Sequence, residues 1–109
     1  MKLNIYEKKQ VVKTYEVDVY DLMFGTVEDI ANAVNIDNLQ TSEDAEIIGL
    51  AASLMRTSMG TVKNLLKDIF EGITDEELRN TKMKEIVRVL VDVVKYTIAE
   101  MAKNTSKNG

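Results

Sequence analysis

Three observations predict a predominantly helical α+β fold, with an N-terminal β-hairpin packed on about three main α-helices. Apolar residues alternate with polar ones over Lys2 to Val17, a period of two. The run Thr81 to Lys103, TKMKEIVRVLVDVVKYTIAEMAK, has no glycine or proline and an apolar period near 3.6. Between them, Thr74 to Glu77 reads TDEE, the capping box in which a hydroxyl and a glutamate satisfy each other's orphan amides.

In the hairpin, Leu3 and Ile5 alternate on the first strand and Val11, Lys13, Tyr15 and Val17 on the second, with Glu7 to Gln10 as the turn. The turn lacks the Asn-Gly signature of a tight two-residue loop, which leaves the register open. Asp18 and Asp21 form an N-cap pair for a first helix whose apolar stripe runs Tyr20, Met23, Phe24, Val27, Ile30, Ala31 and Val34, in phase through Gly25. Asn35 to Gln40 is a short polar connection. Thr41 or Ser42 caps a long helix to about Glu71, bent at Gly60, with the stripe Ile48, Ala52, Met55, Met59, Val62, Leu66 and Ile69. Gly72 is placed as its left-handed C-cap, and Ile73 as the apolar residue that folds back on the last turn.

After the capping box, Asn80 and Thr81 interrupt the chain and give one short turn before the valine-rich helix. On that helix Met83, Ile86, Val87, Leu90, Val93, Val94, Ile98 and Met101 share a stripe, flanked by Val89, Val91 and Tyr96. Glu85, Arg88, Asp92 and Lys95 mark a narrow wet line. The alternation of Val87, Val89, Val91 and Val93 also fits a strand, but the run is too long for one and its charges pair only at helical spacing. Residues 1–17 are thus assigned to the hairpin, 18–103 to helices of the same single domain, and 104–109 to a frayed, disordered tail.

A chain of 109 residues holds one core, and its net charge of −4 argues against a nucleic-acid partner. Lys8 and Lys9, with Lys13 nearby, read as a solvated hairpin tip. Cysteine and histidine are absent, which removes disulfides, the usual zinc ligand sets and the common nucleophile–base pairs. The N-terminus has no apolar signal core and no run reaches about 18 apolar residues, so neither secretion nor a membrane span is expected. Acids gather as Glu16 with Asp18 and Asp21, Glu28 with Asp29, Glu43 with Asp44 and Glu46, and Asp75 with Glu76 and Glu77. Most of these lie at predicted helix starts, where they stabilise the dipole, so no catalytic, metal or cofactor site is assigned and no enzyme is expected.

The methionines lie on apolar stripes and read mainly as core filling. Met55 and Met59, beside small residues, are the candidate partner-binding groove, because flexible thioethers suit varied apolar partners. Candidate self-association surfaces are the hairpin edge, Lys2, Leu3, Asn4, Ile5 and Tyr6, and the flank Val89, Val91 and Tyr96. Composition and spacing alone describe a small soluble helical interaction domain.

The stretches KTYEVDVYDLMFGTVEDI, from Lys13, and LLKDIFEGITDEELRNTKMKEIVRVLVDVVKYTIAEM, from Leu65, resemble the tail assembly chaperones of long-tailed phages and prophages of Gram-positive bacteria. The likeness spans nearly the whole chain and is weakest over Asn35 to Asn64. It implies a small helical protein with an N-terminal β element that acts in the host bacterial cytoplasm and is absent from the finished virion. Its implied partner is the tape measure protein, which it keeps soluble until tail tube subunits polymerise around it, with the tail tube protein as a further partner. The resemblance also implies self-association into open, spiral homo-oligomers. Short and long forms made by ribosomal frameshifting occur among such proteins, and Ala102-Lys103-Asn104 is compatible with a slippery codon run. The competing expectation is an acidic helical adaptor, antitoxin- or antirepressor-like, that forms a closed dimer and grips one basic protein.

Overall fold

The computed structural model describes residues 1–34, 43–57 and 59–107. Strands β1 (Lys2–Glu7) and β2 (Gln10–Glu16) form an antiparallel hairpin, followed by a 3-10 turn at Val19–Asp21. Five helices follow: α1 (Phe24–Ala33), α2 (Asp44–Thr57), α3 (Met59–Ile69), α4 (Asp75–Arg79) and α5 (Met83–Lys107). The helical α+β class expected from the sequence is the one observed. The expected connection at 35–40 and the caps at Thr41 and Ser42 lie outside the described residues, as does Ser58, which stands between α2 and α3 in sequence. At the other end, α5 continues through Lys107, past the expected boundary at Lys103.

The hairpin turns through Lys8 and Lys9, both at positive φ (52° and 68°). This is the two-residue geometry usually built from Asn-Gly, here carried by two lysines. Glu7 pairs with Gln10 and Tyr6 with Val11, but Ile5 pairs with Lys13, so Val12 is an extra residue that bulges β2. Leu3 and Ile5 point into the core, and the Met1 ammonium donates to the Val17 carbonyl at 2.7 Å to close the open end.

The edge of β1 proposed for self-association is covered by the chain itself. Tyr6 N–H donates to the Asn80 carbonyl (2.8 Å), Asn4 N–H donates to Glu85 Oε1 (2.9 Å), and the Thr81 hydroxyl donates to the Asn4 carbonyl. An unpaired strand edge offers backbone groups to another strand, and here the α4–α5 junction has taken them. The Lys2 to Tyr6 assignment is corrected accordingly. β2 pairs with β1 alone, which leaves its outer edge open among the described residues, beside half-exposed Val11 and Val12.

Helix α5 packs on α1, α2, β1 and the 3-10 turn, while α3 packs on α1. The valine-rich helix is therefore central, but its buried face is rotated from the expected stripe. Val89, Leu90, Val93, Val94 and Thr97 are buried, Val87 is half-buried and Met83 is exposed. Val89, assigned to self-association, is 1% exposed and belongs to the core. α2 is rotated as well: it buries Ile47, Ala51 and Leu54, and leaves Ile48 and Ala52 outside.

Two expected signals stand as read. At α4 the Thr74 hydroxyl accepts from Glu77 N–H while the Glu77 carboxylate accepts from Thr74 N–H, the complete capping box. Gly72 takes φ +91° just beyond α3, and Ile73 folds back into the core. Ion pairs Lys67–Asp75 (2.7 Å) and Lys95–Asp44 (3.0 Å) join α3 to α4 and α5 to α2.

Candidate partner-binding surface

The segment between β2 and α1 determines which apolar side chains meet water. Asp18, in extended backbone, accepts from Tyr20 N–H at 2.9 Å and caps the 3-10 turn. Leu22 and Met23 then return to extended backbone, and α1 starts at Phe24 with no side-chain cap. Leu22 packs inward against the core. Its neighbours go the other way: Tyr20 is 75% exposed, Met23 74% and Phe24 79%.

That outcome corrects the expected α1 stripe. The face of α1 that meets the core carries Thr26, Ile30 and Val34, spaced by four. At about 100° per residue, Phe24 is far around the helix from Thr26 and points outward. Helical phase does not extend to Tyr20 and Met23, because the intervening backbone is 3-10 and extended.

A cleft of about 450 Å³ lies between α1 and α5, lined by Leu22, Phe24, Val27, Glu28, Ala31, Tyr96, Thr97 and Glu100. A second, of about 470 Å³, runs from β2 and the 3-10 turn to the end of α3 and takes in Leu22, Met23, Ile69 and Phe70. Leu22 lines both clefts, exposed Met23 lines the second and exposed Phe24 the first, so the Tyr20 to Phe24 segment presents an apolar ridge beside them. Tyr20 is held edge-on to Tyr96 of α5, with ring centroids 5.7 Å apart.

Among the described residues, the charged side chains lining these clefts are acidic: Glu28 and Glu100 at the first, and Glu16, Asp18, Asp21, Asp68 and Glu71 at the second. Apolar walls with an acidic rim suit a segment that is apolar along one face and carries lysine or arginine beside it. Among the described residues no three acidic side chains converge as metal ligands would.

Of the residues named from sequence, Tyr96 lines the first cleft, and Val91 is half-buried against the core. Met55 is also half-buried against the core, whereas Met59 is half-exposed at the start of α3. The ridge was missed because its three residues match a helical period. Leu22 and Met23 are good helix formers, so nothing local marked the break before α1. Comparison with known proteins found no matching family model, curated protein or solved structure.

Proposed function

We propose that this chain is a phage tail assembly chaperone that holds a tape measure protein in soluble form by covering its apolar helical face. The observation that carries the reading is the exposure of Tyr20, Met23 and Phe24 beside two clefts whose charged lining, among the described residues, is acidic. Clustered exposed aromatics and methionine are costly for a monomer to leave in water and are the usual anchors of helix-in-groove binding. An amphipathic helix with basic flanks matches both the apolar ridge and the rim. The resemblance over Lys13 to Ile30 includes this ridge.

The proposed action is non-enzymatic, takes place in the host bacterial cytoplasm, and ends when tail tube subunits displace the chaperone. No described helix is long and apolar enough to cross a membrane. Self-association is proposed to run along the outer edge of β2, whose Val11 and Val12 are half-exposed.

Co-expression with the tape measure protein of the same tail gene cluster tests the reading. The intact chain is expected to keep that protein in the soluble fraction and to co-purify with it, more weakly as salt is raised. Replacing Met23 and Phe24 with aspartate is expected to abolish this without unfolding the chain, while Met59→Asp leaves it in place. Retention of the complex by the Met23/Phe24 variant overturns the site. The same acidic rim also suits an adaptor gripping one basic partner; a closed dimer with no effect on tape measure solubility selects that reading instead.

A further inference from the structure

The hairpin tip and the start of α5 meet around a pocket of about 520 Å³ lined by Tyr6, Lys8, Lys9, Asn80, Thr81 and Lys82. Tyr6 builds it: its N–H is bound to the Asn80 carbonyl, and its ring lies beneath the Lys82 ammonium, 4.6 Å from Nζ. Lysines remote in sequence are thereby gathered on a chain of net charge −4.

Lys2, Lys13, Lys67 and Lys95 each pair with a carboxylate, whereas among the described residues Lys8, Lys9 and Lys82 form no ion pair. The local choices are also unfavourable ones. Lys8 and Lys9 occupy left-handed backbone that side-chain-bearing residues avoid. Lys82 precedes the first residue of α5, against the positive end of a 25-residue helix. Departures from local preference that collect at one place point to function, and a bound anion would offset the positive charge that these lysines and the helix end bring to the pocket.

The neutral groups of the pocket are already committed as donors. The Asn80 amide donates to the Glu76 carbonyl, the Thr81 hydroxyl to Asn4 and the Tyr6 hydroxyl to Glu85. What remains for a ligand is mainly the three ammonium groups. Ammonium groups bind phosphate as point charges, and three of them at one place suit an anion of several charges. We propose that this pocket binds a polyvalent phosphate anion.

Calorimetric titration of the full chain with inorganic pyrophosphate at low ionic strength tests the assignment. One-to-one saturable binding is expected, weakened about tenfold or more by Lys82→Gln, the scale of one lost charge-assisted contact. Lys63→Gln, on the exposed side of α3, is expected to change nothing. The double replacement Lys8→Asn, Lys9→Gly removes two charges but supplies the residues this turn prefers, so it is expected to lose binding while raising Tm. Parallel titrations separate sources: ATP bound more tightly than tripolyphosphate indicates a nucleotide, and equal binding indicates phosphate groups alone. Absence of saturable binding, citrate bound as tightly as pyrophosphate, or full affinity in the Asn-Gly variant overturns the proposal.

Discussion

Tyr15 and Glu77, 62 residues apart in sequence, meet through a 2.7 Å hydrogen bond in which the phenol donates to the carboxylate and fastens β2 to α4. The same carboxylate accepts from Thr74 N–H at 3.1 Å and faces the Lys13 ammonium at 3.3 Å. The Tyr15 hydroxyl first, and then the Thr74 amide and Lys13, hold the Glu77 carboxyl below the usual glutamate range. A carboxyl depressed in the folded state contributes its full stability above the unfolded pKa and loses it as pH falls through the folded value. Thermal scans are therefore expected to show Glu77→Gln melting below the wild type at neutral pH and losing less Tm on acidification. Some acid sensitivity should remain, because Lys67 lowers the Asp75 carboxyl in the same way.

Two glycines should respond oppositely to alanine. Gly72, at φ +91°, sits where an L side chain is strained, so Gly72→Ala is expected to cost about 1–2 kcal/mol. Gly49 lies inside α2 with open space where a Cβ would stand, and Gly49→Ala is expected to add about 0.5–1 kcal/mol. Urea midpoints shifting in opposite directions at unchanged slope would confirm both.

Hydrogen exchange reads the covered edge of β1 directly. The Asn4 and Tyr6 amides, bound to Glu85 and Asn80, should exchange slowly for residues on the outer side of a two-stranded sheet. Glu85→Ala is expected to speed exchange at Asn4 at least about tenfold, equivalent to roughly 1.4 kcal/mol of protection. Tyr6, held by a backbone carbonyl, should change less.

Thr97 is fully buried, and its hydroxyl donates back to the Val93 carbonyl at 2.8 Å, one turn earlier in α5. That carbonyl also stands in the helix ladder, so the hydroxyl adds little. Thr97→Val is expected to leave stability unchanged or raise it by up to about 1 kcal/mol. Leu90→Ala, on the same buried face, is expected to cost about 2–5 kcal/mol by denaturant titration.

How far these features were legible from sequence follows from how local their causes are. The Thr74–Glu77 box and the turn at Gly72 were readable because each is written within a few neighbouring residues. The α2 face was misread by one position because Ile47 and Ile48, Ala51 and Ala52, and Leu54 and Met55 are adjacent apolar pairs. Two stripes of nearly equal hydrophobicity then run side by side, and only tertiary packing chooses between them. The ridge at Tyr20, Met23 and Phe24 was hidden by an accidental helical period across non-helical backbone. No local pattern joins Lys8 and Lys9 to Lys82, since their meeting depends on how Tyr6 docks beneath the start of α5.

That docking also orders events during synthesis. Strands β1 and β2 are made first and can pair within about 1–10 μs, yet the groups that cover β1 belong to Asn80, Thr81 and Glu85. At roughly 5–20 residues per second, translation delivers those groups several seconds later. Throughout that interval Leu3 and Ile5 lack their core and the nascent hairpin presents both edges. That exposure ends only once the segment from Asn80 to Glu85 has left the ribosome and can dock on β1.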